Sequence, residues 1–223
     1  MQDINSVCSQ PSSMNDPKAF EHEFVHKFYE ENASEFSGTR RKHWGMTRKF
    51  FDMYYTPESL VLDAGCGNGR SFIVPGVVGL DYCRGLLEDA AMVENMGLVR
   101  GDVLSMPFAD SSFDLVMSVA VIHHLSTSFR RKEAMSEMRR VLKKGGRMLL
   151  YVWGDVVSSK RKFSRTHDMP KGDYFASWKL RSDIRRYYYL YSIQELLIFC
   201  ESVGFKVIDH GAEEESLFVI LEK

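Results

Sequence analysis

Leu60-Val61-Leu62-Asp63-Ala64-Gly65-Cys66-Gly67-Asn68-Gly69-Arg70 joins an apolar run to an acid and three closely spaced glycines. Such a run, closed by glycine, predicts the end of a parallel strand covered on both faces, with a tight turn behind it. Glycine lets the turn take positive φ and lets a ligand approach the main chain with no Cβ in the way. A dinucleotide turn would read G-x-G-x-x-G. The spacing here is G-x-G-x-G, which suits a nucleoside carrying an amino-acid tail. Asp63 is placed to meet the ammonium of that tail or to order its water. An ordinary βα turn is the alternative, and the rest of the chain decides between them.

Working outward, Val77-Val78-Gly79-Leu80-Asp81 reads as a second strand with an acid at its carboxyl end, where one carboxylate can accept from two ribose hydroxyls. The connection from Gly69 is short, so the helix between the strands is reduced to about one turn. A helix from Leu86 to Glu94 precedes a third strand, Leu98 to Val103, ending at Asp102. An acid and a backbone amide there suit the exocyclic amine and ring nitrogen of adenine. Phe113 to Ile122 reads as the fourth strand, running directly into His123 and His124 at the edge where such sheets bind ligands. One imidazole could order the cofactor's surroundings while the other faces the substrate; the spacing leaves open which does which, and a packed histidine is the bland alternative. Arg130 to Leu142 is a basic helix stopped by Gly145 and Gly146, and Arg147 to Trp153 is the fifth strand. A helix from Ile193 to Val203 leads to two closing strands, Phe205 to Ile208 and Leu217 to Leu221, whose hairpin order makes one of them antiparallel. The fold class is therefore α/β, a Rossmann-like, mostly parallel sheet with one antiparallel strand near the C-terminus. Its turns give a cofactor set of Asp63, Gly65, Gly67, Asn68 and Gly69, then Asp81 and Tyr82, Asp102 and Val103, and Ala120, with Tyr29 joining from the N-terminal helix.

The 223 residues suffice for one domain, and a formal net charge of -1 with 26% charged residues announces no polyanion globally. The four cysteines have no C-x-x-C spacing, so neither a zinc site nor a disulfide framework is expected, and metal ligands are none. No long apolar run or signal core occurs, which predicts no membrane and a cytoplasmic location, with the nucleus open as well. Residues 1–16 are polar and read as a flexible tail, leaving 17–223 as a single domain. Within it, 17–56 carries N-terminal helices and a lid. The first is an amphipathic helix through Tyr29, and the lid is the aromatic and basic loop Phe36 to Trp44. Residues 154–190 form a substrate-side insertion, with Ser158 to Arg165 basic and with Tyr174, Trp178 and Arg185-Arg186-Tyr187-Tyr188-Tyr189 interleaving cations and rings. That pattern suits phosphates and unstacked bases of a looped RNA; a loop packed on its own tyrosines is the alternative.

Five βα units with acids at the first three strand ends resemble the class I S-adenosylmethionine-dependent methyltransferases. Three stretches carry a closer resemblance: Phe28 to Arg40; Ser118 to Thr127; and Tyr188-Tyr189-Leu190-Tyr191 with Glu195-Leu196. They are similar to the eukaryotic tRNA methyltransferases that esterify 5-carboxymethyluridine at the wobble position, a family that includes the methyltransferase part of AlkB-type fusion proteins. Lys160 to Phe163 and Asp173 to Trp178 depart from the family pattern. The resemblance implies S-adenosylmethionine as cofactor and S-adenosylhomocysteine as product. It also implies a tRNA anticodon loop as substrate, and a heterodimer with a small zinc-containing activator subunit. A carboxylate acceptor is already ionised at neutral pH, so the chemistry reduces to alignment. Arginine suits a forked clamp on it. Arg40 and Arg161 are the clamp candidates, with His123 or His124 assisting and Trp178 or Tyr174 stacking on the base. A small-molecule methyltransferase and a non-catalytic subunit of the same fold stay open as alternatives.

Overall fold

A computed structural model describes residues 16–39, 43–93, 97–155, 163–165, 169–178 and 181–223. Residues 1–15 of the expected tail, Arg40 and Arg161 lie outside the described residues, as does the side chain of Trp178, while Asp16, read as the end of the tail, is described.

Strands β1 (Val61–Ala64), β2 (Val77–Asp81), β3 (Gly97–Arg100), β4 (Phe113–Val119) and β5 (Leu142–Trp153) pair in parallel. With the two C-terminal strands they form a seven-stranded sheet in the order β3-β2-β1-β4-β5-β10-β9. β10 (Ser216–Glu222) is antiparallel to both β5 and β9 (Lys206–Glu213), so the antiparallel strand expected from the sequence is the last one. A separate three-stranded antiparallel sheet joins β6 (Phe163–Ser164), β7 (Asp173–Trp178) and β8 (Arg181–Tyr189).

The large sheet is covered on both faces, which is why all four residues of β1, Asp63 included, are buried. Leu62, Val116 and Leu150 share one buried cluster with Met135 and Met138 of α5 (Ser128–Val141) and Leu196 of α6 (Ile193–Ser202). Val61, Leu115 and Leu149 share another with Phe50 and Phe51 of α3 (Gly45–Tyr54). Both helices of the first cluster start on hydroxyl caps: Thr127 accepts from the Arg130 amide at 3.2 Å and Ser192 from the Glu195 amide at 3.3 Å. Among the described residues, no helix is long and apolar enough to cross a membrane.

Several boundaries differ from those read in the sequence. No helix forms between Gly69 and Val77; the segment is a series of turns. β3 stops at Arg100, so Asp102 lies past the strand in an isolated bridge to Ser105. β4 ends at Val119 because Ala120 takes φ +62, and the two histidines sit on a short 3-10 turn, Ile122–His124. β5 starts early, taking in the lysine and glycine run read as a helix stop, with Gly145 at φ +78 and a register shift opposite. The aromatic loop also shortens, since α2 (Lys27–Gly38) runs through Phe36.

At the N-terminus, α1 (Pro17–Glu21) is capped by Asp16, whose side chain accepts from the Lys18 and Ala19 amides. It continues through a π-helical turn, His22–His26, into α2, where Asn32 leaves helical geometry and its amide donates to the Phe28 carbonyl at 2.8 Å. Such wide turns accommodate tertiary packing rather than local propensity. Glu21, only 1% exposed, holds the start of this helix down. It accepts from the amide and hydroxyl of Ser126, and Arg130 grips it with Nε and Nη2. Breaking one side of a buried pair of this kind costs about 3–5 kcal/mol.

Candidate active site

The turn after β1 and the loops that follow β2 to β4 open on a cavity of about 590 Å³, in the range of small-molecule sites. Gly65 sits at φ +89, and a Cβ there would lie 2.2 Å from Cγ2 of Val121. The Gly67 amide donates to Asp81 Oδ2 at 2.7 Å and the Cys83 amide to Asp81 Oδ1 at 2.9 Å, so this carboxylate ties the first turn to the second. Each of its oxygens keeps a second lone pair for a hydroxyl. Asp102 accepts from the Leu104 amide at 2.9 Å and lines the cavity with Gly101 and Val103. Tyr82 lines it too, its ring stacked on His26 from the π turn with centroids 4.1 Å apart.

Of the cofactor residues read from the sequence, Tyr29, Gly65, Gly67, Asn68, Asp81, Tyr82, Asp102, Val103 and Ala120 line the cavity. Asp63 and Gly69 are not among the lining residues and stand close beside them in sequence. Gly69, at φ +75, shapes the turn, and its amide donates to the Cys66 carbonyl at 3.0 Å. Asp63 lies buried near the end of β1, with Oδ1 lacking a hydrogen-bond partner among the described residues. Burial, with Asp81 adding like charge, pushes its carboxyl up to about 7.

Both histidines line the cavity, and their partners fix how their protons sit. His124 faces the Tyr187 carbonyl with Nδ1 at 2.9 Å, so Nδ1 carries the proton and Nε2 accepts from the Tyr29 hydroxyl, also at 2.9 Å. Burial and the positive charge of Arg186 push this imidazole down to about 3. Nδ1 of His123 accepts from the Trp153 amide at 3.3 Å, which puts its proton on Nε2. His123, Trp153 and Tyr188 pack ring to ring, with the His123 and Tyr188 centroids 5.4 Å apart.

The rings of the insertion fare differently from their expectation as an RNA surface. Tyr187, Tyr188 and Tyr191 are buried, so packing on their own neighbours is the correct reading for them. Tyr187 donates to Asp173 Oδ1 at 2.6 Å and packs edge-on against Phe20 of α1. Arg186 of β8, missed as a site residue by sequence reasoning, lines the cavity together with Tyr188. Alternation along β8 was the available signal, because it puts 186 and 188 on one face.

The buried Asp63 oxygen, unpartnered among the described residues, the acids at the end of β2 and after β3, and the glycine cradle that a Cβ would fill together fit an adenosyl group with a cationic tail. When bound, S-adenosylmethionine supplies a sulfonium methyl open to displacement. Fold and site define an S-adenosylmethionine-dependent methyltransferase of class I. Residues 62–150 match the family described as Methyltransferase domain. A chain of Encephalitozoon cuniculi whose description goes no further than a methyltransferase is 67% identical over 94% of this chain and 100% of its own length. The tRNA (carboxymethyluridine(34)-5-O)-methyltransferase of Schizosaccharomyces pombe is 34% identical over 92% of this chain and 98% of its own. A Haloferax volcanii methyltransferase, solved in complex with the Trm112 methyltransferase activator, shares the fold with a TM-score of 0.66 at 16% identity, over 89% of this chain and 96% of that one. The chain belongs to the class I methyltransferase family and is homologous along nearly its whole length to the fission-yeast tRNA methyltransferase.

Proposed function

We propose that this methyltransferase transfers the methyl group to the carboxylate of 5-carboxymethyluridine at the tRNA wobble position, giving the methyl ester. The observation that carries the reading is the state of the two histidines. Nδ1 of His123 and Nε2 of His124, the nitrogens with lone pairs, each accept a hydrogen bond, so neither histidine offers a base to a hydroxyl or amine. An acceptor that needs no deprotonation fits such a site, and a carboxylate is ionised far below neutral pH. In the transfer an O–CH3 bond forms, the S–CH3 bond breaks and its electron pair stays on sulfur; no proton moves. The fission-yeast relative, whose description names this substrate, supports the same reading.

We further propose that the working form pairs with a small activator subunit of the kind bound to the Haloferax neighbour. β3 is four residues long, closes one end of the sheet and is preceded in the chain by Met92, 87% exposed. Such an edge accepts a partner strand.

The test incubates the protein, alone and with the activator, with labelled S-adenosylmethionine and tRNA lacking its terminal wobble ester. Label released from the wobble uridine by mild alkali is the expected result. Alkali-stable label would move the reaction to a base or ribose and overturn the reading.

A further inference from the structure

Arg186 is 4% exposed, yet its guanidinium has no carboxylate partner among the described residues. Buried cations are ordinarily paired, because the cost of leaving water must be offset locally. Here the compensation is aromatic: the guanidinium carbon lies 4.2 Å from the ring centroid of Phe28, 5.4 Å from Tyr29 and Tyr188, and 5.7 Å from Phe36. Its Nη1 donates to the Tyr29 hydroxyl at 3.1 Å, while the buried Nε has no acceptor among the described residues. A guanidinium carries five N–H donors in a planar fork, so most of this one's capacity is open where it borders the cavity. Arg130 borders the same cavity, but its fork closes on Glu21. A neutral His124, two hydrogen bonds away through Tyr29, brings no competing charge.

We propose that Arg186 receives the carboxylate of the methyl acceptor, which rests on the function proposed above and names the residue that selects its substrate. The box of rings excludes water and holds the fork in place. A carboxylate entering it gains charge-assisted hydrogen bonds that a neutral side chain of the same shape cannot make. Arg186 thereby turns one oxygen toward the methyl group and rejects the corresponding amide.

The test compares wild type with Arg186→Met and Arg186→Lys, each with the activator subunit. Binding of two tRNAs is measured, one with 5-carboxymethyluridine and one with 5-carbamoylmethyluridine at the wobble position, alongside binding of S-adenosylhomocysteine. Wild type should prefer the carboxylate by roughly 10- to 100-fold, from hydrogen bonds to a charged group. Arg186→Met should bring the two within about threefold by losing the carboxylate form alone, with cofactor binding retained; Arg186→Lys should fall between. A merely structural arginine would weaken both tRNAs together. Wild-type preference surviving in Arg186→Met overturns the assignment, as does a wild type with no preference. If Arg186→Met no longer binds cofactor, Arg186→Lys decides, and an unchanged preference there overturns it. A wild type that makes no alkali-labile ester overturns the underlying function instead, whatever the variants do.

Discussion

Tyr29 and His124, 95 positions apart in sequence, meet in a 2.9 Å hydrogen bond whose direction is fixed from both ends. Arg186 Nη1 donates into the tyrosine oxygen, and the Tyr187 carbonyl takes the proton on His124 Nδ1, so the tyrosine hydroxyl must donate to Nε2. Tyr29→Phe removes the middle of this chain and strands a buried acceptor and a buried charge. The expected cost is about 1–3 kcal/mol, read as a lower urea midpoint at unchanged slope.

The same chain sets a pH dependence. The folded value of His124 is depressed to about 3, while in the unfolded chain the imidazole titrates near its ordinary value of 6.5. The unfolded state therefore binds the proton first, and stability is lost as pH falls through about 6.5 toward 3. Between pH 7.5 and 5 the contribution is about 2 kcal/mol. Denaturation of wild type and His124→Gln at the two pH values should show the wild type losing more by that amount. The rate profile of wild type should carry no limb from this imidazole between pH 5 and 8.

Asp63 behaves with the opposite sign. Its folded value is raised to about 7, so the folded protein holds the proton that the unfolded chain has released. Its contribution to stability should rise by about 1.4 kcal/mol as pH falls from 8 to 6, read as the change over that range in the difference between wild type and Asp63→Asn. The substitution should also weaken binding of S-adenosylmethionine, measured calorimetrically, because a neutral amide cannot answer an ammonium. A variant that binds the cofactor as wild type does would take Asp63 out of the site.

Two backbone positions at the cavity make a matched pair. Gly65→Ala puts a methyl group 2.2 Å from Val121 on a residue at φ +89, and overpacking plus a left-handed conformation should cost about 2–5 kcal/mol and abolish cofactor binding. Ala120 already carries a side chain at φ +62, where strain of about 1–3 kcal/mol is relieved by glycine. Ala120→Gly should leave thermal stability equal or higher, against the usual cost of introducing glycine.

The mostly parallel sheet and an antiparallel strand in its closing pair were legible because β1, β2, β4 and β10 are local apolar runs and the first turn is a local run of glycines. The acids after β2 and β3 were legible for the same reason. What escaped depended on distant partners. Glu21 reads as one polar residue in an amphipathic helix until Arg130 and Ser126 are brought to it. Arg186 reads as one cation in a run of cations and rings until Phe28, Phe36 and Tyr188 close around it. The π turn has no local signature either.

The charge of Arg186, without a carboxylate partner among the described residues, also bears on how such a site empties. In the proposed reaction esterification erases the acceptor's negative charge, so a group that enters the aromatic box as an anion leaves it as a neutral ester, for which an open guanidinium fork offers far weaker hold. The sulfonium loses its charge in the same event, while the ammonium, ribose and adenine stay as they were. On the proposed reading product dismissal is thus part of the reaction: the chamber is restored to its starting imbalance, and that imbalance draws in the next anion.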